Sequence, residues 1–400
     1  MKTRIITEDI EAAAEIIKAG GLVAVPTETV YGLACNGLDE KAVGRVYEVK
    51  GRPEVKPLSL MVPGPGAFAQ YCVDIPQAAY FLAERFWPGP LTIVLKSDGI
   101  VPSIVRVGGE TVALRCPDHK ATLALLEKAG LPLAAPSANP SGLPSPKTAQ
   151  EVLSYFDGAI DAVIDGGECG VGRESTIIDL SAVPYRILRE GALSETEVFS
   201  ALAGNVKIIG ITGGTGGGKT TALNVLKEMG ALTIDCDEVY HRLTTDSADM
   251  LFELETRFPG VVRDGVLQRK LLGEMVFSDI SALMDLNAIT HRYVIAEVDR
   301  QIAQWARMGG RLAAIDAIAL IESGLARRCA AVVGITAPRE VRIERLMARE
   351  GISREYAEKR IDAQQRDDFF RKNCDYVLVN DKSPDEFRKK CEELFRKILS

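Results

Sequence analysis

The sequence predicts an α/β fold built as two domains. Its 400 residues are many for one domain and comfortable for two. In both halves, short apolar runs that indicate buried strands alternate with amphipathic runs that indicate helices. A strand, a glycine-rich loop and a helix also follow one another near the midpoint of the chain, over 207–229. We therefore expect one domain over residues 1–204, a second over 205–400, and a short linker at Gly204–Asn205.

The bulk composition is that of an ordinary globular protein, with 46% hydrophobic and 26% charged residues. No apolar run approaches the ~18–20 residues of a membrane span, and acidic residues follow the N-terminus too soon for a signal peptide. The eight cysteines are scattered without a C-x-x-C pair, which favours buried thiols in a reduced, cytoplasmic setting. Residues 1–204 hold 18 basic against 25 acidic side chains, so any anion there must bind in a local pocket.

The first half begins with a predicted amphipathic helix over 8–19, which Gly20–Gly21 ends. The alternation then continues in order, with strands at 22–26, 93–95, 111–117, 131–135 and 162–165, and helices at 39–50, 147–155 and 195–203.

Polar side chains follow several of these elements. Lys50 and Arg52 end the second helix, where they can point at one polyanion or simply complement the helix C-terminus. Arg115 ends a strand, and the carboxyl ends of strands border the ligand crevice in an open α/β sheet. Ser137 and Asn139 stand on a turn, where they can bind a nucleotide or cap the next helix. None of these patterns alone decides between a ligand-binding role and a structural role.

Six blocks occur in sequence between Ile10 and Ala201: PTETVYGL, KGRP…KPLSLMV, FWPGPLTIVL, TVALRCP, APSANPSG, and GRESTIID…RILREG. By these blocks the first half resembles the threonylcarbamoyl-AMP synthase family, in the short form that lacks an extra C-terminal domain. The resemblance implies a twisted mixed α/β sheet domain with a positively lined cavity. It also implies that threonine, bicarbonate and ATP are joined into threonylcarbamoyl-AMP, whose threonylcarbamoyl group tRNA-modifying proteins transfer to tRNA.

The resemblance also implies which residues bind the substrates. Threonine would be held by Thr27, Arg115 and Ser175. ATP would be held by Lys50, Arg52, Lys56, Thr111, Ser137, Asn139, Ser145 and Arg189. No catalytic triad is expected, because the carbamate formed on threonine is itself the nucleophile and the protein need only position reactants and neutralise charge. Met61 departs from the pattern, since the family often has histidine there, and a contact with threonine would be missing.

The second half opens on a segment over 213–220 that fits G-x-x-x-x-G-K-[ST] between a strand and a helix. Glycines let backbone N–H groups curl around phosphate oxygens, and the helix N-terminus adds a partial positive charge. The residues expected to bind ATP are Gly213, Gly216, Gly217, Gly218, Lys219, Thr220 and Thr221. Lys219 would reach the β- and γ-phosphates, and Thr220 would place its hydroxyl on Mg²⁺.

Asp235 and Asp237 follow the next predicted strand, at 231–234. Either carboxylate could take a proton from an attacking hydroxyl or organise Mg²⁺, and the alternative is a pair that caps the following helix. Strands at 311–316, 331–335 and 376–380 and helices at 264–278, 342–349, 360–365 and up to Ser400 complete the half. The arginine-rich stretch from Arg339 is either a solvated helix surface or a lid that closes on phosphates.

Seven blocks lie between Val206 and about Leu399: GITGGTGGGKTT, IDCDEVYHRL, DGVLQRKLLGEMVFSD, ITHR, RIERLMARE, RIDAQQ and DYVLVND. They resemble the dephospho-CoA kinase family, which implies a P-loop kinase domain with a parallel sheet and a helical lid. The implied reaction moves the γ-phosphoryl group of ATP to the ribose 3′-hydroxyl of dephospho-CoA. By resemblance Asp237 is the base and Asp235 its magnesium-binding neighbour, Lys219 acts on the phosphates, and the lid arginines Arg345 and Arg349 bracket the transferred phosphoryl.

Two departures fall in the acceptor region. Asp316–Glu322 stands where the family has Asp-x-Pro-Leu-Leu-Phe-Glu, and His291–Arg292 replaces His-Pro. The leading hypothesis is a bifunctional enzyme without a membrane partner. The alternatives are that the second half is a drifted ATP-binding scaffold or sensor, or that the first half is a module that binds RNA weakly.

Overall fold

The computed structural model describes residues 2–53, 56–276 and 279–400. Two parts of the quoted blocks, Glu54–Val55 and Phe277–Ser278, lie outside the described residues. The chain divides into two compact units. One contains the chain through Leu202 together with Arg307–Gly309, and the other contains Ala203–Ala306 and Gly310–Ser400.

The first unit is a mixed α/β domain. Its strands are β1 (Arg4–Ile6), β2 (Val23–Val25), β3 (Gly32–Asn36), β4 (Ser59–Met61), β5 (Leu91–Lys96), β6 (Thr111–Arg115), β7 (Leu133–Ala134), β8 (Ala162–Ile164), β9 (Thr176–Asp179) and β10 (Arg186–Arg189). Its helices are α1 (Ile10–Lys18), α2 (Glu40–Lys50), α3 (Phe68–Tyr71), α4 (Gln77–Phe86), α5 (Ser103–Arg106), α6 (Lys120–Ala129), α7 (Ala149–Phe156) and α8 (Glu195–Gly204), with a 3-10 turn at Pro65–Ala67.

The ten strands form one sheet in the order β1-β8-β2-β3-β7-β4-β6-β5-β9-β10, with parallel and antiparallel neighbours. The expected mixed sheet is therefore confirmed. Helices α1 and α6 pack on one another and bury a cluster that includes Ile17, Val23, Leu125 and Ile164.

Local caps fix the helix boundaries close to the predicted ones. Asp39 accepts hydrogen bonds from two backbone N–H groups at the start of α2, and Gly51 ends that helix with the left-handed φ of 55°. Helix α7 is capped by Thr148, so the interpretation of Ser137 and Asn139 as its cap is wrong. Helix α8 extends through Gly204, which shifts the expected linker by one residue to Asn205–Val206.

The second unit is built on a parallel sheet. Its strands are β11 (Lys207–Thr212), β12 (Leu232–Asp235), β13 (Val262–Arg263), β14 (Val266–Leu267), β15 (Leu312–Asp316), β16 (Ala331–Thr336) and β17 (Tyr376–Val379). Its helices are α9 (Lys219–Glu228), α10 (Cys236–Asp246), α11 (Ala248–Arg257), α12 (Arg269–Val276), α13 (Ile280–Arg307), α14 (Arg339–Glu350), α15 (Arg354–Asp362), α16 (Asp367–Asn373) and α17 (Pro384–Leu399), with a 3-10 turn at Leu325–Arg328.

Five of these strands form the sheet in the order β12-β15-β11-β16-β17, and every neighbouring pair is parallel. The expected parallel sheet is confirmed, with the strand that precedes the glycine-rich loop at its centre. Helices α9 and α17 pack on one face and bury Val225, Phe387 and Phe395. The carboxyl ends of β11, β12 and β15 therefore lie side by side, which is where open α/β sheets bind ligands.

One helix prediction in this unit is wrong at its start. Asp264 and Gly265 form the turn of the β13–β14 hairpin, both with positive φ, and the helix begins only at Arg269. An Asp-Gly pair favours such a turn because it adopts left-handed backbone angles readily. Within the described residues, no helix is long and apolar enough to cross a membrane.

Candidate functional sites

The first unit contains a cavity of about 220 Å³ over the strand ends of its sheet. Strands β4, β5 and β6, the loop before Ser137, and the segment from Glu174 through Arg189 all contribute to its wall. Five sequence-predicted residues line it: Arg52, Arg115, Ser137, Ser175 and Arg189. Three cationic side chains therefore meet in one small enclosure.

Arg115 is the last residue of β6 and is 7% exposed. Its Nη2 donates to Oε1 of Glu28 and to Oγ1 of Thr29, both at 2.7 Å. Its Nε is buried and has no hydrogen-bond partner among the residues that the structure describes. A buried donor without an acceptor is costly, so this guanidinium retains capacity for one more oxygen ligand.

Ser175 lies beside Arg189 on the other wall of the cavity. The Ser175 hydroxyl shares a 2.8 Å hydrogen bond with the hydroxyl of Thr92 on β5. Arg189 donates from Nη2 to the Ser175 carbonyl at 2.9 Å and to its hydroxyl at 3.3 Å, and it forms an ion pair with Glu174. The charged side chain of Arg189 thereby fixes the position of Ser175 at the cavity wall.

Lys50, the last residue of α2, is only 3% exposed. Its ammonium group donates to the backbone carbonyls of Ser137 and Asn139, so it anchors the turn that carries both residues. Burial, with the neighbouring Arg52 as a second cause, lowers the pKa of Lys50 to about 8. Nearby Arg52 donates to the carbonyl of Pro57 at 3.1 Å.

The other predicted ligands do not line the cavity. Thr27 turns its buried hydroxyl onto the Val30 carbonyl at 2.7 Å. Thr111 opens β6, paired with Lys96 in the ladder, and is half-buried. Lys56 is exposed, and it is the first described residue after position 55. Their roles as ligands stay predictions.

Asn139 and Ser145 lie together behind the cavity wall. The Asn139 amide donates to the carbonyls of Pro140 and Leu143, which closes the turn on itself. The Ser145 hydroxyl donates to Glu174 at 3.2 Å. Both residues therefore shape the loop that borders the cavity, and their contact with ATP is a prediction.

Sequence reasoning missed three polar side chains that bind predicted site residues. Glu28, Thr92 and Glu174 all stand inside the quoted blocks, yet their partners are 15 to 87 positions away. A usable signal was the rule that a buried arginine needs an anionic or polar partner. Met61 is 3% exposed, lines the cavity, and is the ladder neighbour of Arg115.

The second site forms where β11 turns into α9. Gly213 has a φ of 139°, and a Cβ atom there would lie 2.1 Å from the backbone oxygen of Ile335. Gly216 and Gly218 also have positive φ, at 79° and 110°. The helix begins at Lys219, directly after the last glycine of the loop. The loop thus requires glycine and leads directly into a helix N-terminus, which is an arrangement that binds phosphate.

Lys219 lies across the crevice from Asp316, the last residue of β15. Its Nζ is 3.3 Å from the Gly213 carbonyl and 3.9 Å from Oδ1 of Asp316. Burial raises the pKa of Asp316 to about 6, although Lys219 acts in the opposite direction. That Oδ1 atom is buried without a hydrogen-bond partner in the described part of the chain.

Asp235 ends β12 beside Asp316 in the strand ladder. Its side chain accepts hydrogen bonds from the backbone N–H groups of Asp237 (2.8 Å) and Glu238 (3.2 Å), so the capping alternative is confirmed for this residue. Asp237 lies in the first turn of α10, next to the crevice. Three carboxylates therefore converge near Lys219, and their catalytic roles are predictions.

The donor set near the loop suits Mg²⁺. The exposed Thr220 hydroxyl and the unpartnered Asp316 oxygen are hard oxygen donors, which this ion prefers alongside water and phosphate. The described residues contain no group of three or more His, Cys, Asp or Glu side chains arranged as a metal cage. An ion that keeps several waters does not need such a cage.

The two predicted lid arginines differ in their surroundings. Arg345 donates from Nη1 to the Gly216 carbonyl and from Nη2 to Oδ1 of Asn380, both at 3.2 Å. Arg349 is exposed in the last turn of α14 and pairs with its neighbour Glu350. The structure therefore brings Arg345 to the phosphate loop and does not bring Arg349 there.

Sequence reasoning missed four residues of this site, namely Asp316, Arg342, Gln364 and Asn380. Asn380 is 5% exposed and donates to the Gly217 carbonyl at 3.0 Å. Arg342 and Gln364 both bind the backbone of the loop. Their blocks were recognised, but nothing in a linear pattern shows that they meet the loop from more than 120 positions away.

Family models match the two halves separately. A model described as "Telomere recombination" matches residues 15–191, and one described as "Dephospho-CoA kinase" matches residues 207–386. A threonylcarbamoyl-AMP synthase of Pyrococcus abyssi is 46% identical over 208 residues, which are 52% of this chain and 61% of that relative. A threonylcarbamoyl-AMP synthase of Pseudomonas savastanoi pv. phaseolicola is 37% identical over 182 residues, which are 46% of this chain and 97% of that relative.

A solved structure of dephospho-CoA kinase from Campylobacter jejuni matches with a TM-score of 0.33 and 24% identity, over 48% of this chain and 97% of that one. The chain spans only 61% of the length of the Pyrococcus relative but nearly all of the Pseudomonas one. The chain therefore belongs to the threonylcarbamoyl-AMP synthase family through its N-terminal half, to which a dephospho-CoA kinase domain is fused in its C-terminal half.

Proposed function

We propose that the first half forms threonylcarbamoyl-AMP and pyrophosphate from L-threonine, bicarbonate and ATP. The observation that carries this proposal is the small cavity in which Arg115, Ser175 and Arg189 converge. An amino acid carboxylate suits the spare Nε of Arg115, because charge-assisted hydrogen bonds to guanidinium are strong and directional. Partner proteins that modify tRNA would then accept the product.

The chemistry asks little of the protein beyond positioning. The amine of threonine attacks the carbon of bicarbonate and water leaves, which gives a carbamate; an oxygen of this carbamate attacks the α-phosphorus of ATP while pyrophosphate leaves. Arg115 would orient the threonine carboxylate, and Arg52 and Arg189 would neutralise the charge that grows on the phosphates. Glu28 and Glu174 balance two of these cations, Arg115 and Arg189, while the substrates are absent.

The test is pyrophosphate release by the full chain with each substrate omitted in turn. The proposal predicts release that requires threonine, bicarbonate and ATP together. Release that persists without bicarbonate would point to a different adenylation reaction. Binding of tRNA without pyrophosphate release would instead support the RNA-binding alternative, and that binding would weaken as salt rises.

We propose that the second half transfers the γ-phosphoryl group of ATP to the ribose 3′-hydroxyl of dephospho-CoA. The observation that carries it is the glycine loop followed by Lys219, opposite the carboxylates at the ends of β12 and β15. Lys219 and the loop N–H groups would hold the phosphates, and Asp237 would accept the proton of the attacking hydroxyl. Thr220, with Asp235 or Asp316 nearby, would hold Mg²⁺, and this ion would neutralise charge on the phosphates.

A pair of variants tests the kinase proposal on the full chain. Wild type should form ADP only when dephospho-CoA is present, and K219A should lose that activity. The control K227A removes an exposed lysine from the same helix and should leave ADP formation unchanged. Nucleotide binding without any acceptor-dependent ADP would support the ATP-bound scaffold or sensor instead.

A further inference from the structure

Thr215 is the residue of the phosphate loop between Gly214 and Gly216, and two side chains from outside the loop bind its polar groups. Its backbone N–H donates to Oε1 of Gln364 at 2.9 Å, and its hydroxyl accepts from Nε2 of the same amide at 2.6 Å. Its carbonyl accepts from Nε of Arg342 at 3.0 Å. Arg342 Nη2 also donates to Gln364 Oε1 at 2.6 Å, which closes the group into a ring of hydrogen bonds.

The loop is shaped around this arginine. Arg342 lies on α14 and is 6% exposed. A Cβ atom on Gly214 would lie 2.2 Å from Arg342 Nη2, and one on Gly216 would lie 3.0 Å from the Arg342 carbonyl. The guanidinium therefore occupies the space that a side chain at 214 would need, directly against the backbone that is expected to hold phosphates.

The charge of Arg342 has no close anionic partner in the described part of the chain. Its hydrogen bonds go to neutral oxygens of Thr215 and Gln364. Burial lowers the pKa of Arg342; Asp367 opposes that change, and Arg339 on the same helix adds to it. Arg339 itself is paired with Asp362 at the surface. A buried cation without an ion pair is costly unless another anion balances it.

We propose that Arg342 is a positioning residue for the phosphoryl donor. Arg342 fixes the phosphate loop through Thr215 and Gln364, and a bound polyphosphate balances its buried charge. The ligand class is the triphosphate of a nucleotide, recognised through its charge and not through its base. This inference rests on the proposed kinase function. The buried charge therefore destabilises the free protein, and binding of the polyphosphate offsets this destabilisation.

Two effects of opposite sign follow for a variant that removes the charge and keeps one amide donor near the loop. In R342Q the free protein should melt at the same temperature as wild type or higher, because the unpaired charge is gone. Its dissociation constant for Mg-ATP should rise about tenfold, the range of one charge-assisted contact. A residue that only held the fold together would show the opposite effect on melting.

The experiment measures Mg-ATP and inorganic tripolyphosphate binding by calorimetry on the full-length protein, in which the second-half site is identified as the one that K219A abolishes, together with the KM for ATP and kcat of ADP formation. R342Q should weaken both ligands by a similar factor, since the effect acts on phosphate charge. R342K should recover part of the affinity, and kcat should change less than about twofold because the reacting atoms are untouched. The matched control R339Q removes a charge from the exposed face of α14 and should behave as wild type.

T215V supplies an independent arm that leaves the arginine in place and removes one hydrogen bond to Gln364. It should raise the dissociation constant for Mg-ATP about threefold. Unchanged ATP affinity in both R342Q and T215V would overturn the inference, as would equal losses in R342Q and R339Q. A wild-type protein that forms no ADP from ATP in the presence of dephospho-CoA would overturn the proposed kinase function itself, a result distinct from both.

Discussion

Asp316 and Lys219 face each other across 3.9 Å, at the carboxyl end of β15 and the first residue of α9. The carboxylate is 14% exposed, and its Oδ1 atom has no hydrogen-bond partner among the described residues. Such an atom is a good acceptor for a ligand or an ion-bound water. The position is the first residue of the segment that departs from the kinase family pattern, so the departure begins after this carboxylate.

We expect D316N to lower kcat for ADP formation by about a hundredfold. The variant lacks the negative charge of Asp316, which orders the groups that neutralise charge developing on the phosphates. The dissociation constant for ATP should change far less, since the loop and Lys219 remain. Single-turnover ADP formation with dephospho-CoA separates the two quantities. The control D299N removes an exposed carboxylate that pairs with Arg328 and should retain full activity.

The glycine at position 213 should be irreplaceable for a steric reason. In G213A the new Cβ would lie 2.1 Å from the Ile335 oxygen, so β16 or the loop must shift. Gly230 also has a positive φ, 89°, but nothing lies within 4 Å of a Cβ there. Thermal unfolding should show a loss of about 1 kcal/mol for G230A from backbone strain alone, and a clearly larger loss for G213A, together with loss of dephospho-CoA-dependent ADP formation. Similar losses in the two variants would contradict the packing argument.

Lys50 should make ATP use by the first half depend on pH. Its pKa is about 8, so the ammonium form that attracts phosphate is depleted as pH rises above that value. The KM for ATP in pyrophosphate release should rise about tenfold between pH 7 and pH 9.5 in wild type. K50M should have a high KM with little pH dependence, whereas K41M, an exposed change on the same helix, should follow wild type.

The same pKa has a signed effect on stability. Because the pKa in the folded protein lies below the ordinary 10.5, the unfolded chain binds more protons between pH 8 and pH 10.5, and stability rises with pH in that window. K50M should therefore unfold at a higher temperature than wild type below pH 8, with the difference shrinking toward pH 10.5. A constant difference across this range would show that Lys50 is not buried as a charged group.

Arg115 should determine the affinity for threonine. R115A removes the carboxylate partner and leaves the half-buried Glu28 without its ion pair, so we expect the KM for threonine to rise about a hundredfold. The KM for ATP should change by less than about threefold. Initial rates of pyrophosphate release at varied threonine measure both. R45A removes a half-exposed arginine of the Arg45–Asp161 pair, and a similar loss there would contradict a specific role for Arg115.

Periodicity and turn residues predicted much of the fold. The amphipathic helices and the apolar strands 91–96, 207–212 and 331–336 lie close to where the patterns indicated. Strands β1, β3 and β4 were missed because they are short or mix glycine with polar residues. Such strands owe their conformation to neighbours far away in the sequence, which a local pattern does not contain.

The site residues also divide into those that a local pattern predicts and those that it does not. Glycines, Lys219 and Arg115 could be predicted because loop chemistry and strand ends specify them locally. Glu28 and Gln364 could not, because their function is to satisfy a buried donor or acceptor contributed by a distant element. Asp235 shows a further limit, since its side chain both caps α10 and borders the crevice, and a sequence pattern does not separate the two.

Both reactions should be assayed on one preparation of the full chain, as wild type, R115A and K219A. We expect R115A to lose threonine-dependent pyrophosphate release and keep dephospho-CoA-dependent ADP formation, and K219A to show the reverse. Absence of ADP formation in wild type, with pyrophosphate release intact, would contradict the second activity. Absence of both in a folded protein that binds ATP would show that the two halves keep these folds without these reactions.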